Sequence, residues 1–373
     1  MNDMVKKDRI SLLIVQPYLT AYRLPVFSEL AEDLDVTIVS STPHCESGFG
    51  TPDITGNRIL EHIIVPEHHL FGGRLIWQSR LGRTLWRIRP DKILFAANPR
   101  NLGFWWLLIL SRIMGIQFYS HGQGMYNKPR PPRWLRYVYR LLIASSTRYI
   151  CYTPSVANSL VDLCAIPKLA VADNSIEVLE PVLPDEKSGQ ESGVLFVGRL
   201  RAGNNLSVLI NALAQLRLMK PELNVILHVI GAGEEQPVLM KQFGSLSWIV
   251  WYGQVYDQRE INRISRLCSV GCYPGDAGLS VVHYMALSLV PVVHDRADCH
   301  MGPEPSYVVD GVNGCTFNYS NPGTSLLAVL LDLFSTDIKR KELMFAAWET
   351  YMALTLPSLT KRLKVAMSED GSL

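Results

Sequence analysis

Residues 194–313 contain the sequence patterns that are most informative about the architecture of this chain. This stretch begins with a buried-strand pattern that ends in an arginine, Val194-Leu-Phe-Val-Gly-Arg199-Leu. Further along come Cys272-Tyr-Pro-Gly-Asp-Ala-Gly278-Leu-Ser280-Val-Val-His283 and then Pro291-Val-Val. The first segment predicts a strand that brings a fixed cation to the edge of a parallel sheet. The second predicts a strand, a glycine turn and a helix, whose free N–H groups and positive dipole end favour an anion. Together they predict a pocket for a diphosphate.

The bulk composition sets the class of protein. A length of 373 residues allows two domains with separate cores, and 48% apolar with 19% charged residues indicates a globular chain. The net charge of only +2 argues against a nucleic-acid partner. The cysteine number is odd and no C-x-x-C pair occurs, which predicts reduced core thiols and a cytoplasmic protein. The cysteines are Cys45, Cys151, Cys164, Cys268, Cys272, Cys299 and Cys315.

Targeting and membrane segments are not expected. The first nine residues are polar and lack the apolar run of a signal peptide. The apolar run 102–110 is followed by Arg112 and is shorter than the roughly 20 residues that a spanning helix needs. We therefore predict that it forms a buried helix.

The first half of the chain alternates strand and helix patterns. This alternation predicts a parallel sheet with helices on both faces. The predicted strands are 11–16, 36–40, 59–65, 92–97, 117–120, 149–152 and 169–172, and the predicted helices are 24–33, 75–88, 102–114 and 133–144.

A second alternating series follows a proline- and serine-containing linker at 179–193. Its predicted strands are 194–197, 224–230, 249–251, 269–272 and 291–294, and the tail 336–367 is helical. We predict an α/β fold of two doubly wound domains that face each other across a cleft, with ligands at the carboxyl ends of the strands. The expected divisions are a first domain 1–178, the linker, a second domain 194–345, and a C-terminal helix in 346–373 that packs back toward the first domain.

These motifs resemble those of GT-B glycosyltransferases of the retaining family four, the glycosyl transferases group 1. The segments that carry the resemblance are Gly198-Arg199-Leu200, Val229-Ile-Gly-Ala-Gly233-Glu, Tyr252-Gly253, Tyr273-Pro274-Gly275, Gly278-Leu279-Ser280, Pro291-Val292-Val293, Asp310-Gly311-Val312-Asn313-Gly314, Tyr119-Ser-His121-Gly122 and Asn174-Ser-Ile-Glu177. The resemblance implies sugar transfer from a nucleotide sugar with retention of the anomeric configuration. It also implies that domain 1–178 is the acceptor-side domain and that domain 194–345 binds the nucleotide sugar, with no cofactor and no metal.

The sequence departs from the family pattern at three positions. Asn204 stands where the family usually has a lysine after the arginine. Gly275 and His283 stand where it usually has two glutamates, the second of which accepts hydrogen bonds from the ribose hydroxyls. We assign Asn204 and His283 to the donor site by this correspondence. His283 serves the ribose when neutral or the phosphates when protonated.

Arg199 and the glycine turn are the strongest candidates for the diphosphate. The guanidinium of Arg199 stays charged and presents a fork of donors, although a surface arginine paired with an acid is the alternative. Arg201 is a second cation or a solvated side chain. The turn Gly278-Leu279-Ser280 offers backbone N–H groups, or is an ordinary helix start.

Two further candidates lie on loops. His121 lies between a strand end and a glycine loop, where a histidine contacts the sugar or the reaction centre as a catalytic group, or is satisfied by backbone. Glu304 binds sugar hydroxyls or caps a helix. Gly231-Ala-Gly233 is a partial dinucleotide fingerprint, interpreted as a tight turn.

Basic and aromatic residues alternate within 130–140, with arginines at Arg130, Arg133, Arg136 and Arg140. This pattern suits an anionic membrane surface or a helix with one solvated face, whereas nucleic acid is disfavoured by the near-neutral chain.

The predicted function is a retaining glycosyltransferase for surface polysaccharide: capsule, O-antigen or exopolysaccharide. A UDP- or GDP-linked donor and a saccharide or polyprenyl-linked acceptor are the expected partners, at the inner face of the membrane. A non-catalytic GT-B partner subunit of an assembly complex and an NAD-dependent oxidoreductase are the alternatives.

Overall fold

A computed structural model describes residues 9–42, 52–187 and 191–368. The chain forms two compact units. Residues up to 125, residues 130–173 and the final segment from 358 form the first unit, and residues 126–129 and 174–357 form the second. Cys45 lies outside the described residues, and the other six cysteines are free thiols.

The first unit is built on a sheet of seven parallel strands. The strand Ser11–Val15, inside this sheet, is an almost continuous apolar run, as expected for a strand covered on both faces. In sheet order the strands are β3 (Glu61–Ile64), β2 (Asp35–Ser40), β1 (Ser11–Val15), β6 (Lys92–Ala96), β7 (Gln117–Gly122), β8 (Arg148–Cys151) and β9 (Leu169–Val171).

Helices cover both faces of this sheet. On one face α1 (Leu24–Asp33) packs with the C-terminal α12 (Leu359–Ala366) in one apolar cluster. On the other face α3 (Leu102–Met114) places Phe104 edge-on against Phe95 and Phe118. The remaining helices of this unit are α2 (Leu81–Ile88), α4 (Arg133–Ser145) and α5 (Pro154–Leu160).

The second unit has a sheet of six parallel strands with the same reversal of order at its centre. In sheet order they are β12 (Ile249–Gly253), β11 (Ile226–Ile230), β10 (Gly193–Val197), β13 (Cys268–Cys272), β14 (Val290–His294) and β15 (Cys315–Phe317). Its helices are α6 (Leu206–Met219), α7 (Gln236–Phe243), α8 (Gln258–Ser265), α9 (Ser280–Ala286), α10 (Pro322–Ser335) and α11 (Asp337–Thr355). The predicted α/β class with two doubly wound sheets is confirmed.

One predicted helix is wrong in its first part. Residues 75–88 show helical spacing, but Leu75–Gln78 forms strand β5, which pairs antiparallel with β4 (Glu67–Leu70). The turn between them has left-handed backbone at Phe71, Gly72 and Gly73. Only Leu81–Ile88 is helical. The hairpin and the edge strand β15 were not predicted.

The apolar run 102–110 lies within α3, as predicted, but the helix is only partly buried. Asn101 accepts a hydrogen bond from the N–H of Gly103, and Gly115 ends the helix in the left-handed conformation. Trp106, Ile109 and Ile113 are exposed. Within the described residues no helix combines the length and the apolar character needed to cross a bilayer.

Candidate functional site

The candidate site lies at the topological switch point of the second sheet. The chain passes from β10 outward to β12 and then returns to β13 on the other side of β10. Ligands of doubly wound sheets bind at the carboxyl ends of the strands at such a reversal. The loops that leave β10 and β13 carry Arg199, Arg201 and the glycine turn, so the fold brings these predicted residues to one edge.

Both arginines of the loop after β10 have carboxylate partners. Arg199 Nη2 lies 3.2 Å from Glu234 Oε2, and Arg201 Nη1 lies 2.8 Å from Asp276 Oδ2. The Arg199 pair is solvent-exposed, so its strength is modest. An incoming diphosphate can therefore compete with Glu234 for the Arg199 guanidinium.

Asn204 is buried and joins the two loops. Its amide Nδ2 donates to the carbonyl oxygen of Arg199, and its Oδ1 accepts from the Tyr273 hydroxyl at 2.9 Å. Both polar ends of the side chain are thus bonded within the protein. Its predicted donor contact stays a prediction, and in this structure Asn204 holds Arg199 and Tyr273 in place.

Gly275 has no room for a side chain. A Cβ at this position would overlap the carbonyl oxygen of Gly203, and the N–H of Asp276 donates to that same oxygen at 3.0 Å. The loop after β10 therefore packs directly on the backbone at Gly275. This close approach explains why no carboxylate stands there.

The turn before α9 presents free amides. Among the described residues no backbone or side-chain acceptor takes the N–H groups of Gly278, Leu279 and Ser280. Ser280 Oγ is also buried without a hydrogen-bond partner in the described chain. These groups can donate to an anion at the turn.

Glu304 is buried beside the same turn. Its Oε1 accepts from Asn174 Nδ2, and its Oε2 lies 3.7 Å from the place of a Cβ at Gly278. Tyr126 adjoins this loop, because its hydroxyl donates to the His300 carbonyl oxygen at 2.9 Å. Burial, then the negative charges of Glu304 and Asp276, raise the pKa of Tyr126 to about 12. Tyr126 is therefore a neutral donor at physiological pH.

His283 faces α8. Its half-buried ring lies on α9 with Nε2 at 3.2 Å from Gln258 Nε2, which also donates to Asn262. Burial lowers the pKa of His283 from 6.5 to about 4. The imidazole is therefore neutral near pH 7, as the ribose interpretation requires, and a phosphate-binding cation would need a ligand that raises this pKa.

His121 lies at the end of β7 in the first unit. The ring is buried, contacts Tyr152 with 4.5 Å between centroids, and leaves Nε2 without a hydrogen-bond partner in the described chain. Burial, with a smaller effect of the Arg23 charge, lowers its pKa to about 3. A neutral histidine whose Nε2 has no partner in the described chain can form one hydrogen bond with a substrate through that nitrogen.

Four residues near these groups were not predicted: Tyr126, Asn174, Asp276 and Gln258. Asp276 and Asn174 stood inside quoted motifs, and their polar side chains beside the glycine turn and Glu304 were the available signal. Tyr126 and Gln258 had no such signal, because only the folded chain brings them near. No cluster of three or more His, Cys, Asp or Glu side chains suited to a metal ion occurs in the described parts of the chain.

Comparison with known proteins gives a family match over part of the chain. The sequence model of the family Glycosyl transferases group 1 matches residues 191–335, which spans the second sheet up to the end of α10. No curated protein matches the chain in sequence.

Solved structures share the fold. Anabaena HepE in complex with UDP is similar with a TM-score of 0.70 at 13% identity, over 95% of this chain and 97% of HepE. The pneumococcal O-GlcNAc transferase GtfA, solved with UDP and GlcNAc, has a TM-score of 0.69 at 10% identity, over 95% and 98% of the chains. The lipopolysaccharide outer core galactosyltransferase WaaB has a TM-score of 0.64 at 12% identity, over 96% of this chain and 99% of WaaB. These structures share the GT-B fold with this chain. The segment that matches the family model lies in the second unit.

Proposed function

We propose that this protein is a retaining glycosyltransferase that moves a sugar from a nucleotide-sugar donor to a saccharide or polyprenyl-linked acceptor. The observation that carries the proposal is the convergence of Arg199, Arg201 and the free amides of Gly278, Leu279 and Ser280 at the switch point between β10 and β13. Retention requires a leaving diphosphate that stays bound and neutralised. Preorganised cations and amides supply that stabilisation.

The donor is a UDP- or GDP-linked sugar, and UDP is favoured because HepE and GtfA were solved with UDP. Asn174, Glu304 and Tyr126 lie beside the glycine turn and are suited to bind the hydroxyls of the donor sugar. His121 keeps a catalytic role in the proposal, as a neutral hydrogen-bonding group.

The setting is the synthesis of surface polysaccharide, such as capsule, O-antigen or exopolysaccharide, in the cytoplasm. Peripheral contact of the basic helix α4 with an anionic membrane belongs to the same proposal, because a polyprenyl-linked acceptor is confined to the bilayer.

A thermal-shift series with UDP, GDP, UDP-glucose, UDP-galactose, UDP-GlcNAc and GDP-mannose tests donor binding. A ligand that binds only the folded state stabilises it by about 2.7 kcal/mol at a hundredfold excess over Kd, which raises the melting temperature by several degrees. No shift with any of the six would contradict the donor site. Proton NMR of the first-formed product then reports the anomeric configuration, and an inverted product would contradict retention.

A non-catalytic partner subunit is the second candidate. It is favoured by Gly275, where no side chain fits, and by Asn204, whose polar groups are bonded internally. If the protein bound the nucleotide sugar but neither transferred the sugar to an acceptor nor hydrolysed the donor, this candidate would be supported over the enzyme.

A further inference from the structure

Helices α2, α3 and α4 form one layer on the sheet face opposite α1 and α12. Tyr139 of α4 packs on Tyr149 of β8 as Phe104 of α3 packs on Phe95 of β6. A Cβ added at Gly82 of α2 would lie 2.8 Å from Nε1 of Trp106, so α2 adjoins α3. Consecutive right-handed crossovers place α3 and α4 side by side on the same face.

The outer surface of this layer is apolar. α3 exposes Trp106, Ile109 and Ile113, and α4 exposes Trp134, Tyr137 and Leu141. Both trios have the spacing i, i+3, i+7, so at about 100° per residue each forms one stripe on the side of the helix opposite its buried residues. Ile113 is 76% exposed, Trp134 67% and Tyr137 68%. A helix on a globular protein normally turns a polar face to water.

The segment that contains α3 and α4 carries a positive charge that the whole-chain balance conceals. Two of its cations, Lys92 and Arg148, donate to the carbonyl oxygens of Met367 and Ala366 on the opposite face of the sheet. Residues 92–161 contain nine lysines and arginines and no aspartate or glutamate. The chain totals +2, so the remaining residues sum to −7 (2 − 9). On α4, Arg133, Arg136 and Arg140 each stand one residue before a member of the apolar stripe, so they flank it.

We infer that the outer face of α3 and α4 docks on an anionic lipid bilayer by insertion as well as by charge. Tryptophan and tyrosine favour the headgroup region, and flanking arginines bind lipid phosphates. The aliphatic side chains Ile109, Ile113 and Leu141 suit acyl chains, whereas a nucleic acid would have no use for them, since bases stack on aromatic groups.

This inference goes beyond electrostatic contact of α4 alone, and it does not depend on sugar transfer. A protein bound only by electrostatic attraction would be released at high salt, because the Debye length falls from about 10 Å at 0.1 M to about 3 Å at 1 M. Inserted apolar side chains resist salt. Binding should therefore have a salt-sensitive part that depends on the arginines and a salt-resistant part that depends on the apolar side chains.

The test is sedimentation of the full-length protein with vesicles of phosphatidylcholine alone or with 30 mol% phosphatidylglycerol, at 0.1 and 0.5 M NaCl. We expect wild-type binding to anionic vesicles at both salt concentrations. Replacing Arg133, Arg136 and Arg140 by glutamine should lower the partition coefficient at 0.1 M about a hundredfold, at roughly fivefold per arginine. Replacing Trp106, Ile109, Trp134 and Tyr137 by glutamine should abolish the part that persists at 0.5 M.

Matched controls lie in the second unit. Glutamine at Lys220, Lys241 and Lys341 removes three exposed positive charges, and glutamine at Leu218 and Ile338 removes two exposed apolar side chains. Neither control should change binding, and circular dichroism verifies that all variants are folded. Equal binding to neutral vesicles, complete release at 0.5 M salt, or binding of single-stranded RNA without vesicle binding would each overturn the inference.

Discussion

The hydroxyl of Tyr273 donates to Oδ1 of Asn204 across 2.9 Å, which ties the loop after β13 to the loop after β10. These loops leave the two strands that flank the switch point. A second hydrogen bond joins the same loops, from the N–H of Asp276 to the carbonyl oxygen of Gly203. Together the two hydrogen bonds set the position of Arg199 relative to the glycine turn. The geometry of the proposed diphosphate site therefore depends on a residue, Asn204, that stands where the family usually has a lysine.

Tyr273→Phe should destabilise the second unit, because it leaves the buried Asn204 Oδ1 without a donor. We expect the free energy of unfolding in urea to fall by about 1–3 kcal/mol. Tyr256→Phe is the control, since that side chain is 80% exposed in the same unit. Equal stability of both variants would mean that the bond does not order the loops.

Arg199→Ala should remove most of the affinity for the nucleotide, because the diphosphate loses its fixed cation. Judging from charged hydrogen bonds, we expect a loss of about 2–4 kcal/mol in calorimetric titration with UDP or GDP. Arg259→Ala, at an exposed arginine paired with Glu180, should bind as wild type. If a folded Arg199→Ala protein bound nucleotide normally, Arg199 would have no part in the site.

His121→Ala should reduce kcat by one to four orders of magnitude, roughly the range of acid–base and hydrogen-bonding groups, with little change in nucleotide Kd. Its pKa of about 3 keeps the ring neutral, so His121 should add no pH dependence to kcat between pH 5 and 8. His68→Ala, at an exposed histidine of the same unit, is the control. Parallel losses in kcat and in nucleotide affinity would place His121 at the nucleotide instead.

His283 should make nucleotide affinity nearly independent of pH above about 5. If His283 had the ordinary histidine pKa of about 6.5, nucleotide binding would weaken below that pH. Burial lowers the pKa of His283 to about 4, so the ring stays neutral at higher pH. His283→Gln keeps an acceptor and should cost less than about tenfold in Kd, whereas His283→Leu should cost more. Affinity that rises as the pH falls from 7 to 5 would assign His283 to the phosphates.

Stability in acid provides a separate measurement on the same histidines. The folded-state pKa values of His121 and His283 are depressed, so the unfolded chain binds more protons between about 6.5 and the folded values of about 3 and about 4. The free energy of unfolding should therefore fall as the pH drops from 6.5 toward 4. His283→Gln removes one contribution, and its stability should decline less steeply over this interval. An identical slope would show that the pKa of His283 is not depressed in the folded protein.

Local sequence patterns determined most of the fold. Helix α3 was predicted at its observed bounds. Its end signals are local, since Asn101 caps its first turn and Gly115 ends it. The apolar runs of β1, β6, β10 and β13 identified buried parallel strands for the same local reason. The hairpin of β4 and β5 was missed, since Leu75–Gln78 is a strand only by virtue of its pairing with Glu67–Leu70.

The candidate site divides in the same way. Arg199, Gly278 and Glu304 were recognisable because each follows a strand of the second sheet, and the carboxyl ends of parallel strands share one edge. His121 was recognisable because it lies at the end of a strand of the first sheet. Only the tertiary structure showed that Asn204 bonds to Tyr273, that the backbone of Gly203 fills the space at Gly275, and that burial keeps His121 and His283 neutral. Contacts and desolvation depend on residues far apart in the chain. Local patterns could therefore indicate the candidate residues, whereas packing decided their partners and their charge.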